Sequence, residues 1–341
     1  MQRISVIIPT LNRPELLRAT IASLMTQTRA ADEVIVVDDG SRPPIEEATL
    51  QGEFGTFIKV MRNETSQGLA WARNQGVMAA AGDYVAHLDD DDLYAAETLA
   101  ECAALLDADP ALDLLFIGMQ GFGSRAEHFN RVQPAGVEQV IRKGNGKEAA
   151  PDVVVFDQRL FSALIRRVPA PFQKVIARRE VWKRVDALRC AAYQAAAGLA
   201  TPQAARELIR GTLRDSEWAL YAAIACSKTA LCNRPYYLAR CDGQGGSSQP
   251  ANQQRHMLQG LEIKTRLFQA SRQRPELNRW QKEIGENLAQ TRFDAAYAYF
   301  EQGDRHTAWH HLRQAAVTQP HWKQAKLALK FLLSSPPNRE E

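Results

Sequence analysis

Residues 84–92 read Tyr-Val-Ala-His-Leu-Asp-Asp-Asp-Asp, a short and mostly apolar run that ends in four adjacent carboxylates. An apolar run of this length predicts a strand buried within a sheet. Four neighbouring carboxylates repel one another and raise one another's pKa unless a cation lies among them. Oxygen ligands at this density suit a hard divalent ion such as Mg²⁺ or Mn²⁺. A solvated acidic turn that caps a helix beginning near Ala95 is the other interpretation of the run.

Strands and helices alternate on both sides of this run. Continuous apolar runs predict strands, and they extend over Ile4 to Ile8, Glu33 to Val37, Phe57 to Met61, Tyr84 to Leu88 and Leu112 to Met119. Helical patterns occupy the stretches Pro14 to Met25, Leu69 to Ala81 and Ala95 to Leu106. Strands that alternate with helices at this spacing favour a mostly parallel sheet between two helical layers. The first part of the chain therefore predicts a doubly wound α/β fold.

Polar side chains follow three of these strands at the point where each strand ends. Pro9 to Asn12 follow the first strand, Asp38 to Ser41 the second, and Asp89 to Asp92 the fourth. In open α/β sheets, ligands bind outside the carboxyl ends of the parallel strands. We therefore expect the three clusters on one edge of one sheet, where they would form a common ligand site.

The remaining chain predicts a second, helical region. Residues 121–152 lose the alternating pattern and are rich in Gly, Arg and Lys, which predicts a loop region, whereas residues 174–232 are mainly helical in pattern. The segment Asp242 to Pro250 is the strongest linker signal. Alanine-rich helical patterns follow it. We therefore predict an α/β domain over residues 1–248 and a helical region over residues 249–341.

Composition and charge exclude several classes of protein. The 341 residues carry a formal net charge of +3, too close to balance to favour nucleic acid as a partner. Five scattered cysteines form no Cys-x-x-Cys pair, which favours reduced thiols over a disulfide framework or a zinc site. No stretch reaches the roughly 18 apolar residues needed to cross a bilayer. The first residues run directly into a strand, so we expect a cytoplasmic chain without a signal peptide.

Three motifs near the N-terminus resemble the signature of the family 2 glycosyltransferases. They are Val6-Ile7-Ile8-Pro9-Thr10-Leu11-Asn12-Arg13, Val36-Val37-Asp38-Asp39-Gly40-Ser41, and the run from Asn63 through Ala72-Arg73-Asn74-x-Gly76 to Leu88-Asp89-Asp90-Asp91-Asp92. The resemblance implies the GT-A fold for residues 1–248. It also implies a nucleotide-sugar donor and transfer with inversion at the anomeric carbon.

The resemblance assigns roles to residues at the predicted sheet edge. Donor contacts fall on Pro9, Thr10, Asn12, Asp39, Arg73, Asp90 and Arg240. The Asp-x-Asp element falls on Asp89 and Asp91 and implies a divalent cation, Mn²⁺ or Mg²⁺, that screens the donor diphosphate. Asp39 also suits a turn before Gly40, and Arg73 also suits an exposed position on a helix.

An inverting transfer needs a base that takes the proton of the attacking hydroxyl. Members of the family place an acidic residue at the start of a later helix, and the resemblance assigns this role to Asp215, with Glu217 in reserve. An aspartate before a helix is also a common N-cap, so base and cap both stay open as interpretations of the residue itself. The segment Pro171 to Trp182 also resembles the family, and we expect it to shape the acceptor side.

The Gly-rich segment Asp242 to Pro250 has two interpretations. A flexible loop at this position could close over the donor, with Arg240 or Gln244 reaching the diphosphate. The same composition suits a plain linker between two domains.

The helical region contains one hairpin, from Asp294 to Pro320, that resembles a tetratricopeptide repeat. A single repeat needs a neighbour to bury its face, which leaves packing on the catalytic domain or on a second copy of the chain, a homo-oligomer, open. The final helix, His321 to Leu333, combines lysines with apolar residues. It suits either peripheral contact with an anionic membrane, at its inner face, or ordinary packing by its apolar side.

The sequence thus predicts a metal-dependent inverting glycosyltransferase. It would move a sugar from a nucleoside-diphosphate sugar to a hydroxyl of a glycan or lipid-linked glycan, in cell-surface polysaccharide or lipopolysaccharide synthesis. A sugar nucleotidyltransferase is one alternative, but Pro9 to Asn12 lack the Gly-rich basic loop expected of it after the first strand. A non-catalytic scaffold that binds sugar nucleotides is the other alternative, and the intact Asp39, Asp89, Asp91 and Asp215 speak against it.

Overall fold

The computed structural model of the chain describes residues 2–210, 215–242 and 250–333. The chain divides into two compact units. Residues 1–190 and 206–245 form the first, and residues 191–205 and 246–341 form the second. The predicted domain boundary at 248/249 lies in the segment 243–249, outside the described residues. Most of the Gly-rich segment lies there too, so both interpretations of that segment stay predictions.

A mixed sheet forms the centre of the first unit, and in the described residues it has ten strands. They are β1 (Ile4–Thr10), β2 (Glu33–Asp38), β3 (Ile58–Arg62), β4 (Tyr84–His87), β5 (Leu93–Tyr94), β6 (Leu114–Phe122), β7 (Lys147–Ala150), β8 (Val153–Phe156), β9 (Val175–Arg178) and β10 (Thr229–Arg240). The strand order is β3-β2-β1-β4-β9-β6-β10-β8-β7, with β5 paired to β10.

The direction of the strands places several loops on one edge of this sheet. Strands β1, β2, β3 and β4 pair in parallel, and so do β6 and β10. Strand β9 runs antiparallel to both β4 and β6, which gives those two strands the same direction. The carboxyl ends of β1, β2, β4 and β10 therefore meet at one edge. The predicted α/β fold with a mostly parallel sheet is confirmed.

Helices flank the sheet and connect its strands. The described helices with residues in the first unit are α1 (Pro14–Met25), α2 (Glu47–Phe54), α3 (Leu69–Ala79), α4 (Thr98–Ala108), α5 (Ala126–Lys143), α6 (Leu160–Leu164), α7 (Arg179–Ala197), α8 (Pro202–Arg210) and α9 (Asp215–Ala225). Every residue of β1 and β2 is buried, as their continuous apolar runs predict. Helix α1 buries Leu17, Ile21 and Leu24 against the core, whereas Met25, the last apolar residue of its helical pattern, is exposed.

The loop predicted over residues 121–152 is wrong, because α5 occupies most of it. This helix buries only Gly136, Val137 and Val140, while charged side chains cover its exposed face. Pro134 lies inside the helix, and Gly, Arg and Lys residues surround it. This composition predicts a loop, although a short apolar stripe is present. Packing of that stripe against the unit outweighs the weak local pattern.

Asp38, at the end of β2, is a fully buried carboxylate with a complete set of partners. Its Oδ1 accepts a hydrogen bond from the amide of Ser41 at 2.8 Å, and its Oδ2 accepts one from the amide of Ile45 at 3.1 Å. The Oδ2 also forms an ion pair with Arg62. Burial alone would raise the pKa of Asp38, but these hydrogen bonds and the ion pair outweigh burial and lower it.

We expect Asp38→Ala to lower the free energy of unfolding by about 3–5 kcal/mol, because it leaves the Arg62 guanidinium and two backbone amides without their partner. Urea denaturation measures the change. Asp157→Ala is the matched control, since Asp157 is exposed and pairs with the exposed Arg159, and its loss should stay within about 1 kcal/mol. Equal losses in the two variants would contradict the structural role of Asp38.

The same ion pair predicts a direction of pH dependence. Since the pKa of Asp38 in the folded chain lies below that of an unfolded aspartate, its stabilisation is complete above about pH 4. The stabilisation is lost as the pH falls through the lower, folded-state pKa. The difference in unfolding free energy between wild type and Asp38→Ala should therefore shrink in acid.

Gly76 of α3 lies where this helix packs tightly on the sheet. A Cβ atom at this position would lie 2.3 Å from Cγ2 of Ile7 and 3.2 Å from Cγ2 of Val37, both within buried strands. The glycine of the Ala-Arg-Asn-x-Gly motif therefore lets α3 lie directly on β1 and β2, and this contact positions Arg73 one turn earlier.

We expect Gly76→Ala to cost about 1–3 kcal/mol in unfolding free energy, because the added methyl group overpacks the contact with β1. Gly52→Ala is the control, since Gly52 also lies within a helix and an added Cβ there meets nothing within 4 Å. That variant should be neutral or stabilise the chain by up to about 1 kcal/mol. Destabilisation of both variants to the same extent would overturn the packing argument.

The second unit is helical over its described residues, as the sequence predicts. Its helices beyond the Gly-rich segment are α10 (Pro250–Ser271), α11 (Pro275–Asn278), α12 (Gln281–Glu301), α13 (Arg305–Thr318) and α14 (Trp322–Leu333). Helices α12, α13 and α14 share a small apolar core in which the rings of Phe300 and Phe331 stack with centroids 4.2 Å apart. Asp304 caps α13 by accepting a hydrogen bond from the amide of Thr307 at 3.0 Å. None of the described helices is long and apolar enough to span a membrane.

Candidate functional site

The three polar clusters predicted from the strand ends do lie together. The hydroxyl of Thr10, at the end of β1, donates a hydrogen bond to Oδ2 of Asp90 at 2.7 Å. The amide of Asp39 donates to the carbonyl of Thr10 at 2.9 Å, which joins the ends of β1 and β2. These bonds connect loops separated by up to 80 residues along the chain.

The four carboxylates after β4 have four different environments. Asp89 pairs with Arg73 and with Lys174, whose Nζ lies 2.5 Å from its Oδ2. Asp91 has a side chain that is 33 % exposed, and its Oδ2 lies 3.0 Å from Arg13. Asp90 and Asp92 are buried. The run is therefore a structured turn at the sheet edge rather than a uniformly solvated one.

The interpretation of this run as a helix cap is wrong. Strand β5 follows the run directly and pairs with β10, and the next helix begins at Thr98 with Glu97 at its N-cap position. Asp92 instead accepts a hydrogen bond from the amide of Arg240, at 2.7 Å. The acidic run is thus fixed between β4 and the end of β10.

Burial and neighbouring charges separate the protonation of these carboxylates. For Asp89, burial would raise the pKa, but Lys174 and Arg73 outweigh burial and lower the pKa far below its ordinary value. Burial raises the pKa of Asp92 to about 7, and the nearby negative charge of Asp89 adds to the rise. Burial also raises the pKa of Asp90. Asp89 therefore stays ionised at physiological pH, whereas the pKa of Asp92 lies near neutral pH.

Arg73 is the central cation of the site. It lies on α3, is buried, and pairs with Asp89 through Nη2 and with Asp215 through Nη1. Burial would lower the pKa of Arg73, but the two carboxylates outweigh burial and raise it, so the guanidinium stays charged. The alternative of an exposed helix arginine is wrong.

Lys174 belongs to this network and was not among the predicted site residues. It precedes β9, is buried, and its Nζ lies 3.9 Å from Asp215 as well as 2.5 Å from Asp89. Burial would lower its pKa, but Asp89 and Asp215 raise it. The available signal was a lysine placed directly before the apolar run of β9, where an unpaired charge would be costly.

Asp215 and Glu217, the two candidates for the base, have different exposures. Asp215 is the first residue of α9, and its side chain is 18 % exposed. Glu217 is fully buried. Asp215 alone of the two therefore lies beside Arg73 with part of its carboxylate accessible to a ligand.

Asp39 and Asn12 organise the loops around the edge. The two carboxylate oxygens of Asp39 accept hydrogen bonds from Asn63, Ser66, Gln67 and Gly68, at 2.7–2.9 Å. Asn12 has a left-handed backbone with φ of 57°, and its Oδ1 accepts a hydrogen bond from the amide of Arg42 at 2.8 Å. Asp39 therefore braces the loop before α3, and Asn12, which follows Pro9 and Thr10, braces the loop after β2.

Arg240 ends β10 beside the acidic run. Its Nε donates to the carbonyl of Asp91 at 3.0 Å, and its Nη1 pairs with Asp242 at 3.0 Å. Gln244, the other residue predicted to reach the diphosphate, lies outside the described residues.

The residues at this edge fit a divalent cation only if a diphosphate supplies some of its ligands. Within the described residues, no group of three or more His, Cys, Asp or Glu side chains could hold a metal by itself. Asp89 is already paired with Arg73 and Lys174, which leaves the more exposed Asp91 as the accessible carboxylate. Mg²⁺ and similar ions commonly bind through one or two carboxylates together with phosphate oxygens of a substrate. The donor set thus fits a cation shared with a diphosphate, not an all-protein cage.

Comparison with known proteins agrees with the fold. Residues 5–167 match the family described as glycosyl transferase family 2. The chain is 34 % identical over 113 residues to an uncharacterized glycosyltransferase of Haemophilus influenzae, covering 33 % of this chain and 37 % of that protein. It is 32 % identical over 167 residues to the poly(ribitol-phosphate) β-N-acetylglucosaminyltransferase TarS of Staphylococcus aureus, covering 48 % of this chain and 26 % of TarS.

Three further comparisons concern one curated relative and two solved structures. The chain is 37 % identical over 97 residues to the Escherichia coli protein WfgD, a UDP-Glc:α-D-GlcNAc-diphosphoundecaprenol β-1,3-glucosyltransferase, covering 28 % of this chain and 38 % of WfgD. The structure of S. aureus TarS 1–349 in complex with UDP-GlcNAc superposes with a TM-score of 0.58 at 20 % identity, over 95 % of this chain and 83 % of that one. A mannosyltransferase of Pyrobaculum calidifontis in complex with GDP-Man and Mn²⁺ superposes with a TM-score of 0.51 at 17 % identity, over 96 % and 79 %.

The fold and the polar edge define a GT-A type α/β protein. Residues 5–167, just under half of the chain, match glycosyl transferase family 2. This match confirms the resemblance to that family, which rests on the sequence motifs. The chain spans only about a quarter to two fifths of the length of the curated relatives described above.

Proposed function

We propose that the chain is a metal-dependent inverting glycosyltransferase. It transfers a sugar from a nucleoside-diphosphate sugar to a hydroxyl of a glycan or lipid-linked glycan acceptor, in cell-surface polysaccharide or lipopolysaccharide synthesis. The observation that carries the proposal is the position of Arg73, which pairs at once with Asp89 of the acidic run and with Asp215 of α9. The buried guanidinium of Arg73 therefore contacts both the donor edge and the candidate base.

The donor is proposed to lie along the carboxyl ends of the strands. Pro9, Thr10, Asn12, Asp39, Arg73, Asp90 and Arg240 line or brace this edge. Arg240 and Arg13 supply positive charge on either side of Asp91, where a diphosphate would otherwise meet only carboxylates. The charge pattern therefore supports a diphosphate at Asp91.

Asp91 is proposed to hold the divalent cation, Mn²⁺ or Mg²⁺, with Asp89 beside it. When bound, the cation would neutralise charge on the departing diphosphate. Asp89 is fixed by Arg73 and Lys174, so it supplies a rigid anion rather than a free ligand. The complex of the Pyrobaculum mannosyltransferase with Mn²⁺ agrees with a cation in this fold.

Asp215 is proposed as the general base. Its carboxylate takes the proton of the acceptor hydroxyl as that oxygen forms a bond to the anomeric carbon and the bond from that carbon to the diphosphate oxygen breaks. Arg73 and Lys174 hold the carboxylate in place before the transfer. Glu217 is the weaker candidate because its side chain is fully buried.

A peripheral contact of α14 with an anionic membrane is part of the same proposal, since it would bring the chain to a lipid-linked acceptor. Helix α14 exposes Trp322, Leu329 and Leu332, together with lysines on the same helix. An exposed set of apolar and basic side chains is typical of helices that lie at a membrane surface.

A thermal-shift series with UDP, GDP, CMP and the corresponding nucleoside triphosphates, each with and without Mn²⁺, tests the donor class. We expect one nucleoside diphosphate to raise the Tm, and to raise it further with Mn²⁺, because a ligand that binds only the folded chain stabilises it. Stabilisation by nucleoside triphosphates alone would favour a nucleotidyltransferase instead. No response to any nucleotide would contradict the proposed donor site.

A further inference from the structure

Arg13 pairs with the same carboxylate that is proposed to hold the divalent cation. Its Nη1 lies 3.0 Å from Oδ2 of Asp91 and 3.3 Å from Oδ1 of Asp90. Within the described part of the chain, this guanidinium pairs with no other carboxylate. Arg13 directly precedes α1 and was not among the predicted site residues. A guanidinium and a divalent cation would therefore compete for one side chain.

Arg13 is the most exposed of the cations that contact the acidic run. The exposed fraction of the side chain is 47 % for Arg13 and 25 % for Arg240, but only 9 % for Arg73 and for Lys174. Arg240 is also held by the carbonyl of Asp91, at 3.0 Å. An exposed ion pair contributes little stability, whereas breaking a buried pair leaves a charge without its partner. Arg13 is therefore the cation that can leave the acidic run at the lowest cost.

The turn formed by the acidic run does not depend on Arg13 for its shape. Asp90 accepts a hydrogen bond from the hydroxyl of Thr10 at 2.7 Å. Asp92 accepts one from the amide of Arg240, also at 2.7 Å. Departure of the Arg13 side chain would therefore leave the turn in place.

The backbone around Arg13 is fixed, so only its side chain has to move. The amide of Asn12 donates a hydrogen bond to the hydroxyl of Ser41 at 2.9 Å. The carbonyl of Arg13 accepts one from the amide of Leu17, in the first turn of α1, at 3.0 Å. A guanidinium binds phosphate oxygens through two parallel hydrogen bonds. A diphosphate beside Asp91 would offer such oxygens to the side chain.

Repulsion between the two cations gives a physical reason for the movement. Mg²⁺ binds carboxylate oxygens at about 2.0–2.1 Å. An ion on Oδ2 of Asp91 would therefore lie at most about 5 Å from Nη1 of Arg13, which is 3.0 Å from the same oxygen. Like charges at this separation repel, and salt screens them only in part because the separation is below the Debye length. Binding of the cation therefore drives Arg13 toward another acceptor.

We propose that Arg13 exchanges Asp91 for the donor diphosphate when the divalent cation binds, and thereby couples the binding of cation and donor. The inference rests on the proposed function, which places both ligands at Asp91. Before the exchange, Arg13 competes with the cation, so the cation alone binds weakly. After the exchange, Arg13 neutralises charge on the diphosphate. Since linkage is reciprocal, each ligand tightens the binding of the other by the same factor.

Two simpler roles for Arg13 predict different effects of removing its guanidinium. A plain diphosphate ligand would tighten nucleotide binding without opposing the cation. A surface ion pair would affect neither ligand. The exchange alone predicts that, without the guanidinium, Mn²⁺ by itself binds more tightly while the nucleotide and Mn²⁺ help each other less.

Isothermal titration calorimetry measures Mn²⁺ binding without nucleotide and with saturating UDP or GDP, whichever raises the Tm of the wild type more. Only the Mn²⁺ binding that is lost in Asp91→Ala is counted, which excludes ions bound elsewhere. We expect Arg13→Gln to bind Mn²⁺ alone at least threefold more tightly than the wild type. The factor by which the nucleotide tightens Mn²⁺ binding should fall at least threefold.

Arg13→Lys separates the two halves of the exchange. The lysine keeps the positive charge beside Asp91, so Mn²⁺ alone should bind as it does to the wild type. An ammonium lacks the paired donors of a guanidinium, so part of the coupling with the nucleotide should be lost. Mn²⁺ affinity that rises in Arg13→Lys as much as in Arg13→Gln would contradict competition by charge.

Arg18→Gln is the matched control, because it removes the same charge from α1 while Arg18 pairs with Glu15 and Glu53 instead of the acidic run. It should bind Mn²⁺ as the wild type does, with and without nucleotide. Equal tightening of Mn²⁺ in Arg13→Gln and Arg18→Gln would reduce the effect to net charge and overturn the exchange. The Tm of each variant without ligand shows whether it is folded.

The remaining outcomes separate this inference from the proposed function. If Arg13→Gln binds the nucleotide less tightly but Mn²⁺ alone unchanged, Arg13 is a plain diphosphate ligand. If neither affinity changes, Arg13 forms only a surface ion pair. Both results overturn the exchange and leave the proposed function intact. A wild type in which nucleotide binding does not respond to Mn²⁺ would refute the proposed metal dependence, and the exchange with it.

Discussion

Asp215→Asn is expected to lower kcat for glycosyl transfer by roughly 10²–10⁴-fold, the range that positioned general bases contribute. The amide can still accept a hydrogen bond from Arg73 but cannot take the proton of the acceptor hydroxyl. Nucleotide affinity should change little, because the donor edge lies at Asp89 to Asp92. The measurement is steady-state transfer beside a UDP or GDP binding titration on the same preparation.

The control for this prediction is Asp157→Asn, an exposed carboxylate paired with Arg159 on the surface. It should leave both kcat and nucleotide affinity unchanged. If Asp215→Asn retained wild-type turnover, Asp215 would be a helix cap and a partner of Arg73 only. A variant that lost nucleotide binding and turnover together would place Asp215 in donor binding instead of proton transfer.

Asp91→Ala is expected to abolish the effect of Mn²⁺ on nucleotide binding and to lower turnover by at least about 10²-fold, the scale of losing one group that stabilises developing charge. Asp91 is the accessible carboxylate of the acidic run, whereas Asp89 is paired with two buried cations. Titrations of nucleotide with and without Mn²⁺, and assays after removal of metal with EDTA, measure both effects.

Glu97→Ala serves as the comparison, because Glu97 is an exposed acidic residue at the start of α4, outside the acidic run. It should keep the full response to Mn²⁺. Wild-type turnover that persists after treatment with EDTA, or a response to Mn²⁺ that survives in Asp91→Ala, would refute the metal dependence.

The strands and the polar edge could be predicted because the sequence pattern there is strong. The runs from Ile4 to Ile8 and from Glu33 to Val37 are buried on both faces and mostly apolar, and a polar residue within two positions of the end of each run marks the edge. Asp89 to Asp92 follow the same rule. Local pattern and tertiary position agree at these residues, and the prediction succeeded there.

Helix α5 is an element that the sequence pattern fails to predict. It buries Gly136, Val137 and Val140 against the unit, and its charged exposed face and internal Pro134 conceal this short stripe. The helix is stabilised by packing that no local window contains. A sequence pattern of so few apolar residues does not distinguish such a helix from a loop.

The partners of Lys174 and the difference between Asp215 and Glu217 could not be assigned from the sequence for a related reason. The role of Lys174 depends on Asp89, which lies 85 residues away. Asp215 and Glu217 lie two residues apart, and only their positions in the folded unit separate a partly exposed carboxylate from a buried one. Burial and pairing over long range are tertiary properties.

Turnover of nucleotide sugars tests the central claim most directly. The wild type is incubated with Mn²⁺ and a panel of UDP-, GDP- and CMP-linked sugars, and release of the nucleotide is scored without and with glycan acceptors. The account predicts slow hydrolysis of one nucleoside-diphosphate sugar, faster release with an acceptor, and loss of both in Asp91→Ala. Failure to turn over any donor, with nucleotide binding unaffected by Asp91→Ala, would contradict it.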